Sequence, residues 1–196
     1  MKAFLSSLAV AAALASGAAS AVPTNFSFTG NLDGDNAYQT FAFSVAADSN
    51  VTMRTWSWAG GTNAAGQSIA AGGFDPILSV FNATTGIKVG DNDDGGCGLV
   101  AQYDTVCWDT YLDLSLSAGD YVVAVSQFSN FAGGTLDAPF TGQGLENFNG
   151  RTSFWAFDIL NVEDATIPGQ VPEPGSLALL GLGLAGIAAL RRRKQS

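Results

Sequence analysis

Short runs of β-branched and aromatic residues, each closed off by a cluster of glycine, asparagine or aspartate, recur through the middle of this 196-residue chain. That pattern leaves little choice of architecture. Residues 26–29, 38–45, 51–58, 77–81, 110–116, 121–126 and 153–162 form such runs. Several alternate in polarity, as in Tyr111-Leu112-Asp113-Leu114-Ser115-Leu116, whose leucines fall on one side of an extended chain. Between the runs stand Gly34-Asp35-Asn36, Gly60-Gly61, Gly72-Gly73, Thr85-Gly86, Gly95-Gly96, Gly119-Asp120 and Gly133-Gly134, which favour turns. No stretch of useful length between residues 22 and 170 carries a helical period. Seven or eight strands with turns at this spacing predict an all-β fold: an antiparallel β-sandwich or jelly-roll-like domain.

Both ends break the pattern. Residues 1–21 open on Met1-Lys2, continue as small and apolar residues, and close on Ala19-Ser20-Ala21. This is a secretory signal peptide for signal peptidase, so the exported chain is expected to begin near residue 22. Residues 171–196 hold Pro172, Glu173 and Pro174, then an apolar run, then the cations Arg191, Arg192, Arg193 and Lys194. The sixteen uncharged residues from 175 to 190 fall short of the roughly 20 that span a bilayer comfortably, so a membrane helix here relies on snorkelling or local thinning. Gly181, Gly183 and Gly186 suit close helix packing, and the four cations are expected to stay cytoplasmic. The Pro-Glu-Pro motif, hydrophobic helix and basic stop resemble the PEP-CTERM sorting signal of Gram-negative bacteria. The resemblance implies an exported protein, anchored transiently, recognised by a membrane-embedded exosortase and delivered to the outer membrane, cell surface or extracellular matrix. Residues 22–170 remain as one domain with a core of its own.

Charge is concentrated in that domain. It holds three cations, Arg54, Lys88 and Arg151, against sixteen acids, a net of −13. Such a surface repels nucleic acid and anionic lipid and favours cations. The chain has no histidine, which removes Ser-His-Asp and Cys-His catalysis and histidine-ligated zinc. No phosphate-binding glycine loop, dinucleotide fingerprint or G-x-S-x-G elbow is present. Its two cysteines, Cys97 and Cys107, travel to an oxidising space and are expected to pair, holding the loop with Asp104 and Trp108 against the acids upstream.

Three segments resemble the bacterial pre-peptidase C-terminal sandwich domain: residues 30–41, with an acidic turn before Tyr38-Gln39-Thr40-Phe41; residues 74–81 followed by Gly86 and 91–95; and Ala118-Gly119-Asp120-Tyr121-Val122-Val123-Ala124-Val125. Members of that family are usually non-catalytic accessory modules, some of which bind calcium or insoluble polymers. Insertions at residues 62–71 and 131–150, and the cysteine pair, depart from its pattern.

The acidic loop Asp91-Asn92-Asp93-Asp94 is the leading candidate site. Calcium takes six to eight oxygen ligands, and Asp/Asn-rich loops supply them; Asp75 and Asp104 are placed to complete the set. Asp33 and Asp35 form a second possible cluster. The plain alternative is a solvated turn, since Asp, Asn and Gly also form turns. Trp56 and Trp58 share one side of a regular strand; exposed they form a ligand platform, buried they join the core. The sum is a non-enzymatic surface module associated with exopolysaccharide or biofilm. Its rivals are a carbohydrate-binding module and a polysaccharide-active enzyme using two carboxylates; a deep acidic cleft beside tryptophan favours the enzyme, a filled sandwich counts against it.

Overall fold

A computed structural model describes residues 24–168; the signal peptide, the Pro-Glu-Pro motif, the hydrophobic segment and the basic stop lie outside the described residues. Eleven strands follow one another: β1 (Thr24–Asn31), β2 (Tyr38–Val45), β3 (Ser49–Thr55), β4 (Gly61–Thr62), β5 (Ser68–Ile69), β6 (Pro76–Asn82), β7 (Lys88–Asn92), β8 (Tyr111–Leu116), β9 (Gly119–Gln127), β10 (Phe154–Val162) and β11 (Asp164–Thr166). Nine of them build two antiparallel sheets, ordered β1-β10-β3-β8 and β11-β2-β9-β6-β7; β4 and β5 form a separate small hairpin. The fold is an all-β sandwich, as the punctuation of the sequence predicts.

Alternation decides which residues fill it. Phe41, Phe43 and Val45 on β2 point inward, as do Tyr121, Val123 and Val125 on β9, and the register sets Phe43 opposite Tyr121 and Phe41 opposite Val123. The facing sheet contributes Val51 and Met53 from β3 and Phe157 and Ile159 from β10. An aromatic centre results. The Phe41 ring lies 4.8 Å from Phe28, 5.0 Å from Phe157 and 5.4 Å, edge-on, from Trp155.

Strand β6 breaks the alternation because both its faces are covered. Leu78 and Val80 join the core, while Phe81 on the other side packs with Ala124 and Ala132, against Leu136 and Phe140. A strand buried on two sides reads as a continuous apolar run. The covering residues belong to the insertion after β9. Of the nine sandwich strands, β7 and β11 are the two that the sequence patterns do not mark: β7 is half exposed and carries Gly90, Asp91 and Asn92, and β11 is three residues long.

Candidate functional site

Hairpin geometry brings the acids together. Strands β6 and β7 are antiparallel with Leu78 opposite Asn92. The residues just after β7 must therefore lie beside those just before β6. In this way Asp93 and Asp94 meet Asp75, and one oxygen from each lies within 4.8 Å of the other two. A fourth residue, Thr110, joins them: its hydroxyl is within hydrogen-bonding reach of the carbonyl oxygens of both Pro76 and Asp93, tying the two chain segments together. Asp109 anchors the same region from the other side: its carbonyl accepts from Gly95 N–H at 2.9 Å.

The carboxylates are crowded by burial and by one another, and for Asp75 the attraction of Arg151 does not offset this. Asp75 Oδ1 and Asp93 Oδ1 are buried with no hydrogen-bond partner. Burial pushes the Asp75 carboxyl up to about 8, and repulsion from Asp93, Asp94 and Asp109 adds to it. Asp93 is pushed up to about 6 by burial and by Asp94, and burial also raises Asp94. Oxygens this close suit a single cation, because ligands on opposite sides of calcium stand roughly 5 Å apart when each bond is about 2.3–2.6 Å.

Other sequence candidates go elsewhere. Asp91 occupies an exposed position on β7 and pairs with Lys88 at 3.3 Å. The Asn92 carboxamide donates to the carbonyls of Asp94 and Tyr111, so it braces the loop. Asp104 is exposed and faces Arg151 at 3.5 Å. Asp35 accepts from the backbone N–H groups of Asn147 and Phe148, a structural task, and Asp33 lies outside the acidic cluster. Of the six proposed ligands, three converge.

Trp56 and Trp58 do not share a face. Strand β3 ends at Thr55, and Ser57 and Trp58 are both buried, so the alternation assumed for a strand over 51–58 stops early. The cause is Asp109, whose carboxylate accepts from Trp58 N–H at 3.1 Å and Ala59 N–H at 2.8 Å and turns the chain. Trp56 lies beneath Arg54, 3.8 Å away, and donates to Asp158. Trp58 lies at the end of the sandwich, its ring covered by the Arg151 guanidinium at 3.4 Å and packed against Trp108 at 4.6 Å.

Trp58 and Trp108 line the same cavity as Asp75, Asp93 and Asp94. It measures about 260 Å³, and Gln127, Phe128, Leu145, Phe148 and Asn149 complete it. Sequence patterns do not single out these last five; three of them belong to the insertion over 131–150, whose composition resembles any Gly-rich loop. The insertion is held down by Asp35 and by Gln127, which donates to the carbonyls of Asp35 and Leu145 at 2.8 and 3.0 Å. A β-carbon on Gly144 would collide with the Asp35 carbonyl oxygen, so this close approach requires glycine.

Cys97 and Cys107 are bonded, closing a ten-residue separation around the loop that leads to Trp108. Replacing both by serine is expected to lower stability by about 3 kcal/mol, the loop-closure contribution for so short a span. Denaturant unfolding with and without reductant checks this; equal midpoints for the oxidised wild type and the double variant would contradict it.

The sandwich with its acidic, aromatic-walled cavity is followed in the sequence by a tail of another kind. Residues 170–194 match the PEP-CTERM protein-sorting motif, and through it the chain is exported, held transiently in the membrane and processed by an exosortase. No curated protein matches the chain.

Proposed function

We propose that this protein is a non-enzymatic module of the cell surface or extracellular matrix, associated with exopolysaccharide, whose sandwich binds calcium through Asp75, Asp93 and Asp94. The observation that carries the reading is the convergence of three carboxylates, two of them with a buried and unpartnered oxygen. A dication there would relieve both the repulsion and the orphaned acceptors. The net charge of −13 over residues 22–170 favours the same ion, and the resemblance to pre-peptidase C-terminal domains agrees with it.

Extracellular calcium sites have Kd values of about 10⁻⁴–10⁻³ M. An ion at a hundredfold excess over Kd stabilises the folded state by about 2.7 kcal/mol, which raises Tm by roughly 5–10 °C for a domain of this size. Calcium is expected to do this, magnesium to do less, and sodium chloride of equal ionic strength to do almost nothing. Asp93→Asn is expected to shrink the rise while leaving the ion-free Tm unchanged or higher, because it removes repulsion. A calcium melting curve identical to the sodium chloride curve overturns the site.

Ion-free protein carries a pH signature as well. Asp75 at about 8 and Asp93 at about 6 lie above their unfolded value of about 3.9. Between these limits the folded state holds protons that the unfolded chain has released, so stability falls as pH rises. In chelator, Tm is expected to drop from pH 5 to pH 8.5, and the calcium-induced rise to grow across the same range. A flat ion-free profile contradicts the burial of Asp75.

The cavity beside Trp58 and Trp108 also favours a second reading, a polysaccharide-active enzyme using two of the carboxylates. Glycosidase carboxylates stand about 5–5.5 Å apart in retaining and about 6.5–9.5 Å apart in inverting enzymes, with the sugar between them. One oxygen from each of three acids within 4.8 Å of the others suits a shared cation, and this supports the first reading. Release of reducing ends from exopolysaccharide, lost in Asp75→Asn, would reverse the preference.

A further inference from the structure

We infer that the cavity is a saccharide subsite, in which one neutral pyranose residue places its hydroxyls on the bound cation and its apolar face on Trp108. The inference rests on the calcium reading above. Calcium needs six to eight oxygens, and three aspartates supply three when each binds through one oxygen. The neighbouring carbonyls of Pro76 and Asp93 already face the Thr110 hydroxyl. The remaining coordination positions open into the cavity, because all three acids line it. Adjacent hydroxyls of a sugar ring match such positions as well as water does, and they bring an apolar ring face with them.

The opposite lining suits that face. Trp58 has one side closed by Arg151, which leaves the half-buried Trp108 as the indole available for stacking. Between acids and aromatics lies Gln127, 1 % exposed. Its Nε2 is committed to the carbonyls of Asp35 and Leu145, which orients the carboxamide, and no described residue donates to its Oε1. A carboxamide acceptor in the cavity wall suits a ligand hydroxyl, as do the unpartnered buried oxygens of Asp75 and Asp93.

Size and charge narrow the class. Sites for drug-sized ligands run from about 300 to 1,000 Å³. At about 260 Å³ this cavity takes a single ring, with the rest of a polymer running outside. A uronate polymer would meet the −13 field of the domain, whereas a neutral sugar would not.

Saturation-transfer NMR on the purified protein tests this, with the methyl glycosides of mannose, galactose and glucose and with alginate, each in calcium and in EDTA. The expected result is calcium-dependent binding of at least one neutral glycoside and none of alginate. Trp108→Ala is expected to weaken that binding at least tenfold while the calcium-induced rise in Tm persists. Asn149→Ala, at an exposed rim position, is expected to weaken it a few-fold and decides the matter should Trp108→Ala fail to fold. If calcium raises Tm and no neutral glycoside binds, the subsite is overturned and the cation site stands. If calcium gives no rise, both fall. Equal binding in EDTA, binding of alginate, or indifference to both substitutions also overturns it.

Discussion

Replacing Asp109 by alanine is expected to cost the fold roughly 3–5 kcal/mol and to take the calcium-induced rise in Tm with it. This carboxylate is 2 % exposed and accepts three hydrogen bonds, from Thr55 Oγ1 at 2.9 Å, Trp58 N–H at 3.1 Å and Ala59 N–H at 2.8 Å. Burial raises its carboxyl against the opposing effect of those donors, which is the balance of a charge held by its hydrogen bonds. Alanine would leave the N–H groups of Trp58 and Ala59 and the Thr55 hydroxyl hydrogen without their acceptor. The damage would also be local to the site, because the same residue's carbonyl holds Gly95 beside the acidic loop and Trp108 precedes it in the chain. Asp109→Asn keeps one acceptor oxygen and the shape, and should fall between wild type and alanine. Urea unfolding of the three proteins, each with and without calcium, provides the check. A loss below about 1 kcal/mol for the alanine variant would show the turn after β3 to be held by something else.

The second large effect is expected at the aromatic centre. Phe41→Ala removes a fully buried ring in contact with Phe28, Phe157 and Trp155, and such truncations cost about 3–5 kcal/mol. Total stability is typically only about 5–15 kcal/mol, so this variant should be marginal at 37 °C. Phe140→Ala makes an instructive contrast. Its ring stacks on Tyr38 at 4.0 Å, but Tyr38 is 49 % exposed and the pair lies outside the central core, so the loss should stay below about 2 kcal/mol. Similar midpoints for the two variants would mean that the sheets are not packed around Phe41.

These expectations separate what is written locally from what is not. Strand β2 could be read off Tyr38–Val45 because alternate residues face one core, and a period of two survives in the sequence. The acidic loop after β7 was legible from composition, and the cysteine pair from the export signal that precedes it. Asp75 joined Asp93 and Asp94 because a β-hairpin returns the chain to its starting point, and the hairpin was partly visible in the turn at Thr85-Gly86. The same rule of alternation puts Trp56 and Trp58 on one side only while the strand is regular, and β3 ends at Thr55. What ended β3 was a carboxylate about fifty residues further on.

By itself the sequence determined export, the all-β class and the acid-rich turns, because each of these depends on short-range order: hydropathy at the ends, period two, and runs of Asp, Asn and Gly. Only the tertiary structure decided which acids meet, which tryptophans line the cavity and that Gln127 and the insertion over 131–150 form its far side. Those outcomes depend on strand register and on hydrogen bonds between residues as far apart as Asp35 and Phe148, and no local pattern encodes a partner at that distance.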